Sequence, residues 1–388
     1  MGIKEKIKIV AIIVFRKILH IFCVFPIDNS KIIFSAFDGT QYADSPKYIS
    51  EYYDSCSGIK RIWVFDKKMY KEATTPKGII KVKKGTLLFY FHFFTSKEIV
   101  INDFISSVLK LRKKQVLLNT WHGGGSFKTV GFTNPHTTKY DEFFFKIHSI
   151  DTSAYVLSSE FFGKAVIKDS FHYYGETLKT GTPRNSILFS NDSGPIKRVS
   201  EYYKINDLRD YSIVLYAPTY RSDTIRAKIE DSSVEIDIER CSKIIRRRFG
   251  KPVLFIYRAH HIMDSDIIKG DWLNGTEYPD IQDLIYCSDI LISDYSSCMW
   301  DFAIMKKTVI QYVPDLKEYT KDRNFLLPLK EWGFVVAENN DELERKIEQF
   351  NYTKYVNGIE RYLAKMQSYE NSDATRMVCD WLDNKRKG

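Results

Sequence analysis

Four short stretches of the sequence place ionisable or hydroxyl side chains directly after an apolar run. The first is WHGGG, in which His122 and Gly123 follow the run QVLLNTW (115–121). His122 is the only residue of this stretch that can take up a proton near neutral pH, so it is a candidate general base. The glycines allow the backbone to pass close to a ligand or to adopt a positive φ. The alternative is a glycine-rich turn that contains a hydrogen-bonded histidine.

The second stretch is YRAHH, at the end of the apolar run PVLFIYRAHH (252–261). Arg258 and His260 alternate along the end of a strand, so their side chains point to the same side. A guanidinium and an imidazole placed in this way can bind a diphosphate and stabilise a leaving phosphate. His261 points to the other side, which makes the two histidines a poor metal pair, and we interpret it as a capping or packing residue.

The third stretch is SDYSSCMWDFA (293–303), in which Ser296 and Ser297 lie where a helix should begin. The unpaired N–H groups and partial positive charge of a helix N-terminus favour a bound phosphate. The alternative is ordinary N-capping by serine or aspartate, which is common. Asp294 would repel a phosphate unless a basic partner lies close to it.

The fourth stretch is YAPTYR (216–221), in which Pro218 ends a strand and leaves Thr219 and Arg221 in a loop. A loop arginine is often only a solvated charge. Because this one follows a third strand end, we expect it to belong to the same site.

Short apolar runs that alternate with helical segments position these residues. Such alternation predicts parallel βαβ units, in which ligands bind beyond the carboxyl ends of the strands. The polar residues around 186–209 separate two series of runs, and the length of 388 residues fits two domains. We therefore expect domains over 30–190 and 191–388. The first series has runs at 31–37, 61–65, 78–82, 98–102, 115–121 and 154–159, and the second at 211–221, 252–261, 288–297, 308–314 and 334–337.

Composition narrows the classes of function. The hydrophobic fraction of 44% argues against global disorder, and the net charge of +9 suits an anionic partner. The basic clusters KLRKK (110–114), RRR (246–248) and KRK (385–387) are dispersed and accompany no nucleic-acid motif, so nucleic acid is not the expected partner. The six cysteines form no CxxC pair, which indicates reduced thiols in a cytosolic compartment and no metal site.

The N-terminal segment 1–29 contains the apolar stretch IKIVAIIVFRKILHIFCVFPI (7–27), interrupted by Arg16, Lys17 and His20. Its longest uncharged piece is shorter than the roughly 20 residues that a membrane span requires. Two interpretations stay open. The segment is either an amphipathic helix on an anionic membrane surface or an ordinary core helix.

The ordered set WHG, GTPRN, YAPTYR, RAHH and SDYSSCMWDF resembles the CDP-glycerol glycerophosphotransferase family of teichoic-acid and capsule synthesis. FSAFDGTQYADSPKYISEYY (34–53) and PDLKEYTKDRNF (314–325) are also similar to segments of that family, so the resemblance covers about residues 30–335. It implies a GT-B-like α/β fold of two Rossmann-type, doubly wound domains that face a central cleft. It implies transfer of a polyol phosphate from CDP-glycerol or CDP-ribitol to a hydroxyl of a lipid-linked saccharide acceptor, with release of CMP.

The resemblance also implies peripheral attachment to the cytoplasmic side of the cell membrane, which favours the membrane interpretation of 7–27. The catalytic base of the family falls on His122. Its nucleotide-diphosphate contacts fall on Arg258, His260, Asp294, Ser296 and Ser297, with Thr219 and Arg221 nearby. We expect no cofactor and no metal ligand set. The alternative function is that of a GT-B glycosyltransferase that uses a nucleotide sugar.

Overall fold

The computed structural model describes residues 2–56, 58–219, 235–259, 271–322 and 324–387, which form two compact units. Unit 1 comprises Met1–Gly124, Val130–Ser186 and Ser368–Gly388, and unit 2 comprises Gly125–Thr129 and Ile187–Gln367. The chain thus passes into unit 2 close to residue 190, where the sequence places the boundary. The residues from Ser368 onward belong to unit 1, whereas the sequence-based ranges assign them to the second domain.

Unit 1 is built on a seven-stranded sheet with the order β3-β2-β1-β4-β5-β6-β7, in which every described strand pair is parallel. The strands are β1 (Asp28–Ser35), β2 (Lys60–Phe65), β3 (Ile79–Lys83), β4 (Ser96–Ile101), β5 (Val116–Asn119), β6 (Ala154–Val156) and β7 (Glu176–Leu178). The strand order reverses between β1 and β4. Such a reversal opens a crevice at the carboxyl ends of the two strands, where open α/β sheets bind their ligands.

Helices cover both faces of this sheet. They are α1 (Ile3–Leu19), α2 (Asp44–Tyr52), α3 (Met69–Glu72), α4 (Leu87–Thr95), α5 (Lys139–Asp151), α6 (Glu160–Phe162) and the C-terminal helix α14 (Ala374–Lys387). Val378 and Leu382 of α14 are fully buried in one core cluster with Ile32 and Trp63. This burial explains why the C-terminal residues join unit 1. Phe89 and Phe93 of α4 pack in a second cluster together with Leu19, the last residue of α1.

Helix α1 confirms that the apolar N-terminal stretch is helical. Arg16, which interrupts the apolar pattern in the sequence, points toward the protein and pairs with Asp151 of α5 at 2.5 Å. Its Nε also donates to the carbonyl of Ser107 at 2.7 Å. Among the described residues, no helix is both long and apolar enough to cross a membrane.

Unit 2 is built on a six-stranded parallel sheet with the order β10-β9-β8-β11-β12-β13. The strands are β8 (Ser212–Tyr216), β9 (Val253–Tyr257), β10 (Leu273–Asn274), β11 (Ile290–Ser293), β12 (Thr308–Tyr312) and β13 (Val335–Ala337). The helices are α7 (Gly194–Tyr203), α8 (Ile238–Phe249), α9 (Ile281–Cys287), α10 (Cys298–Ile304), α11 (Leu316–Asp322), α12 (Asn340–Glu348) and α13 (Tyr352–Met366). The strand order reverses between β8 and β11, so this sheet also has a switch point. Two parallel α/β units confirm the predicted fold class.

Candidate active site

His122 lies three residues beyond the end of β5, and the side chain of Asn119 shapes the turn that leads to it. Asn119 Oδ1 accepts a hydrogen bond from the Trp121 N–H at 2.8 Å, and its Nδ2 donates to the carbonyl of Asp103 at 2.9 Å. Trp121 adopts a φ of 52°, which an L-residue rarely takes. The turn after β5 is thereby tied to the residues that follow the neighbouring strand β4.

A single hydrogen bond defines the chemistry of the His122 ring. Nδ1 lies 2.8 Å from the backbone carbonyl of Asn102, at the end of β4. A carbonyl can only accept, so Nδ1 carries the proton, and the lone pair of the neutral ring lies on Nε2. The rings of Trp121 and Phe37 flank the imidazole, with centroid distances of 4.3 and 5.6 Å. The half-buried ring is therefore held in the tautomer in which Nε2 can accept a proton.

A buried ion pair supports the backbone of His122. Arg184 Nη1 donates to the carbonyl of His122 at 3.0 Å and to Asp44 Oδ2 at 2.6 Å. The Arg184 and Asp44 side chains are only 5% and 3% exposed. Asp44 has a φ of 62°, and its Oδ1 accepts from the N–H of Ser45. Helix α2 begins at Asp44 and is preceded by Ala43.

The turn after β1 completes this edge of unit 1. Asn102 is fully buried, and its Oδ1 accepts from the N–H of Phe37 at 2.8 Å. Phe37, Asp38 and Gly39 all have positive φ, and a Cβ on Gly39 would lie 2.9 Å from the Asp66 nitrogen, beyond the end of β2. The close approach of the two backbones therefore requires glycine at this position. Asn102 thus holds Phe37 with its side chain and His122 with its carbonyl.

Asp103, the residue after Asn102, places a carboxyl group at the same edge. Burial raises the pKa of Asp103 above its ordinary value, and the neighbouring His122 opposes this rise with a smaller effect.

Of the two interpretations of the glycines after His122, close approach to a ligand or a positive φ, the backbone angles exclude the positive φ. The structure describes Gly123, Gly124 and Gly125 and gives none of them a positive φ. Gly124 is buried, and its carbonyl accepts from Ser158 Oγ at 2.7 Å. Gly123 directly follows His122 and is half-buried, so a small residue lies beside the imidazole.

In unit 2, the residues expected to contact a diphosphate follow the adjacent strands β9, β8 and β11. The Asp294 carboxylate, 3% exposed, accepts from the N–H of Thr219 at 2.9 and 3.0 Å. It also accepts from the N–H of Tyr295. These bonds tie the end of β11 to the loop after β8. Because backbone N–H groups donate to the Asp294 carboxylate, its negative charge is partly compensated. The expected repulsion between Asp294 and a phosphate is therefore weaker.

Arg258 follows β9 and holds a neighbouring loop. Its Nη1 donates to the carbonyls of Gly275 and Tyr278 at 2.6 and 2.7 Å, and its backbone N–H donates to Tyr216 at 2.8 Å. Ser296 and Ser297 directly precede α10, and Ser296 Oγ lies 3.5 Å from the N–H of Cys298. Arg221 and His260 lie outside the described residues. Within the described residues, no group of three or more His, Cys, Asp or Glu side chains could hold a metal ion.

The sequence patterns did not identify the residues that orient His122. Asn102, Asn119, Asp44 and Arg184 hold its ring or backbone, directly or through a neighbour. The sequence contains one usable signal: Arg184 and Asp44 lie in the stretches GTPRN and YADSP, both part of the family resemblance. Asn102 and Asn119 lie at the ends of strands whose sequence patterns are ordinary. Their contacts depend on which strands are neighbours in the sheet.

Comparison with known proteins places this architecture in a family. A teichoic acid glycerol-phosphate transferase of Staphylococcus aureus is 28% identical over 92% of this chain and 93% of its own length. A teichoic acid poly(glycerol phosphate) polymerase of Bacillus subtilis is 27% identical over 85% of this chain, which spans 45% of that polymerase. The structure of the wall teichoic acid polymerase TagF matches with a TM-score of 0.81 and 21% identity, covering 100% of this chain and 99% of that one.

The family model for CDP-glycerol:poly(glycerophosphate) glycerophosphotransferases matches residues 17–383. The predicted family and the two-unit α/β fold are both confirmed by these matches. This chain therefore belongs to the CDP-glycerol:poly(glycerophosphate) glycerophosphotransferase family.

Proposed function

We propose that His122 is the general base of a transfer of glycerol phosphate from CDP-glycerol to a hydroxyl of a lipid-linked saccharide. As a member of its family, the chain is a transferase that moves glycerol phosphate or a related polyol phosphate from a CDP-activated donor in teichoic acid synthesis. The observation that carries the proposal for His122 is the 2.8 Å contact between Nδ1 and the Asn102 carbonyl, because it leaves Nε2 as the basic nitrogen.

In the proposed reaction, Nε2 of His122 takes the proton of the acceptor hydroxyl. The hydroxyl oxygen then forms a bond to the β-phosphorus of the donor, and the bond from that phosphorus to the bridging oxygen breaks. The bonding electrons leave with CMP. The small residue Gly123, beside the base, gives the acceptor room to approach.

The donor side of the proposal rests on the strand ends of unit 2. Arg258 and His260 stabilise the charge that builds on the departing CMP, and Ser296, Ser297 and Arg221 contact the diphosphate. Thr219 contributes to the same site. Asp294 has a positioning role in this proposal, because its carboxylate binds the Thr219 N–H. No metal ligand set and no cofactor form part of the proposed mechanism.

The donor is CDP-glycerol or CDP-ribitol in this proposal. A teichoic acid poly(ribitol-phosphate) polymerase of Bacillus spizizenii is 24% identical over 79% of this chain. This chain spans 48% of the length of that polymerase. The S. aureus relative named for glycerol phosphate matches over nearly its full length, which favours glycerol.

We further propose that α1 attaches the protein to the cytoplasmic side of the cell membrane. Its outward apolar side chains are well exposed, for example Ile7 at 62% and Val10 at 59%. Lys4, Lys6 and Lys8 on the same helix are also exposed and would meet anionic headgroups. Cosedimentation with phosphatidylglycerol vesicles tests this attachment. Replacing Ile7 and Val10 by serine should abolish it, and unchanged cosedimentation would contradict it.

Release of CMP from CDP-glycerol, measured with a lipid-linked disaccharide acceptor, tests the proposed base. His122→Asn should lower kcat by roughly a hundredfold or more, the usual contribution of a general base. His136→Asn is the matched control, because His136 is an exposed histidine of the same unit. A folded His122→Asn variant with unchanged turnover would exclude His122 as the base. A panel of CDP-polyols and nucleotide sugars in the same assay separates this function from glycosyl transfer.

A further inference from the structure

Unit 1 contains a cavity at its switch point, between the carboxyl ends of β1 and β4 and helix α4. It opens to solvent, and its cavity volume is about 40 Å³. Its floor is apolar and consists of residues on β1, β2, β4 and α4: Ile33, Val64, Phe89, Phe93, Ile99 and Ile101. Burying a sugar or polyol hydroxyl against such a floor would leave it without a hydrogen-bond partner. The floor therefore suits a hydrocarbon chain.

The polar groups that line the cavity include Asp38, Lys84 and Asp103. Lys84 forms an ion pair with Asp38, and both side chains are partly exposed, at 33% and 54%. Lys84 is the one cation among the described residues of this lining and lies beside two carboxylates, so an anionic group such as a phosphate at the head of a hydrocarbon chain would replace Asp38 as its partner.

The same cavity is connected to the base through the backbone. The carbonyl of Asp103 is held by Asn119, whose side chain also fixes the N–H of Trp121, the residue before His122. A ligand anchored in the cavity would thus lie on the same edge of the sheet as His122.

The wall of the cavity formed by residues 103–109 is also connected to α1. Arg16 of α1 binds the carbonyl of Ser107, which lies between the lining residues Ser106 and Leu109. At the start of α4, Leu87 is 77% exposed and Leu88 is 51% exposed, next to the floor residue Phe89. The cavity therefore adjoins the helix that we assign to the membrane surface and an exposed apolar pair.

We propose that this cavity binds the hydrocarbon segment of the lipid-linked acceptor, with Lys84 contacting the phosphate at the head of that lipid. The proposal rests on the proposed function, since it assigns the lipid end of the same acceptor. It makes the lipid chain a direct determinant of acceptor recognition, in addition to the attachment of α1 to the bilayer.

The first test measures the KM of two acceptors for the wild-type protein and for its variants. Both acceptors are disaccharide diphosphates, and one carries a dodecyl chain where the other carries a methyl group. The wild type should show a KM roughly tenfold lower for the dodecyl acceptor, the effect of burying about two methylene groups. Ile105→Trp, at a half-buried lining position, and Ser35→Leu should abolish this preference. Val108→Trp is the matched control, because Val108 is half-buried on the same loop but does not line the cavity.

Lys84→Gln should raise the KM of the dodecyl acceptor, whereas Lys83→Gln, in the preceding position outside the lining, should not. A folded Ile105→Trp variant that keeps the full chain-length preference would overturn the proposal. So would equal KM values for the two acceptors in the wild type.

A second test needs no turnover and separates this proposal from the proposed function. Dodecyl phosphate below its micellar concentration should raise the Tm of the wild type and of Val108→Trp, while methyl phosphate should not. The Tm of Ile105→Trp should not respond to dodecyl phosphate. If the wild type turns over neither acceptor but shows this pattern, the proposed function fails and the cavity assignment stands. An equal Tm shift in Ile105→Trp and in the wild type would overturn the cavity assignment alone.

Discussion

The buried ion pair between Asp44 and Arg184 provides a sharp test of how His122 is supported. Asp44 uses Oδ1 for the Ser45 N–H and Oδ2 for Arg184, whereas asparagine has one acceptor oxygen and can serve only one of them. Asparagine tolerates the left-handed conformation that Asp44 adopts at φ 62°, so Asp44→Asn removes the charge without adding backbone strain. Because Arg184 is 4% exposed, the substitution removes a negative charge that lies 2.6 Å from a buried guanidinium.

Breaking a buried ion pair from one side costs about 3 kcal/mol or more in the free energy of unfolding. That loss corresponds to exchange about a hundredfold faster for amides that exchange only on unfolding. The exchange rates of the backbone amides of Leu117 and Leu118 in β5 measure this loss of stability within unit 1. A change of less than about threefold would refute the reasoning, since exposed ion pairs give effects of that size.

Two further variants complete this experiment. Glu160→Gln is the control, because Glu160 pairs with Lys179 in unit 1 and the two side chains are 45% and 58% exposed. The double variant Asp44→Asn/Arg184→Met should be less destabilised than the sum of the two single variants, because each single variant already removes the contact between the two residues. Additive losses would show that the two residues act independently.

Three other substitutions test separate parts of unit 1. Burial raises the pKa of Glu98 to about 7, so its contribution to stability is complete below pH 4.5 and is lost as pH rises through 7. Glu98→Gln should flatten the dependence of Tm on pH between about 5 and 8, and an unchanged dependence would contradict this origin. Arg16→Met should speed hydrogen exchange throughout α1, because it removes the bonds to Asp151 and Ser107, whereas exposed Lys17→Met should not. Gly39→Ala should lower Tm more than Gly85→Ala, since both glycines have positive φ but only Gly39 meets a neighbouring backbone; equal losses would exclude the steric cause.

The strands and their order of appearance followed from local sequence, because an apolar run bounded by turn residues is a local signal. The predicted runs 61–65 and 308–314 correspond to Lys60–Phe65 and Thr308–Tyr312. The two-residue strand β10 gave no comparable signal and was not predicted. Some predicted strands extend beyond the observed ones, because the apolar pattern continues past the sheet. The predicted run 115–121 is an example, since the strand ends at Asn119.

The support of His122 could not be predicted from the sequence, because it depends on which strands are neighbours. β4 lies between β1 and β5, although β2 and β3 separate β1 from β4 along the chain. Asn102 reaches both Phe37 and His122 only because of this order. The C-terminal helix gives a second example. Its amphipathic pattern indicates a helix, but only the buried positions of Val378 and Leu382 show that it packs on unit 1.

The charged residues at the strand ends share a feature that changes how the sequence pattern should be interpreted. Asp294 binds the Thr219 N–H, Arg258 binds the carbonyls of Gly275 and Tyr278, and Arg184 binds the carbonyl of His122. In each case a buried or half-buried charge fixes the backbone of a loop at the edge of a sheet. A charged residue after a strand therefore indicates a loop whose backbone must be held in place, and contact with a ligand needs separate support. For His122, the hydrogen bond between Nδ1 and the Asn102 carbonyl leaves Nε2 as the nitrogen that can accept a proton, and the proposal that His122 acts as the base rests on this geometry.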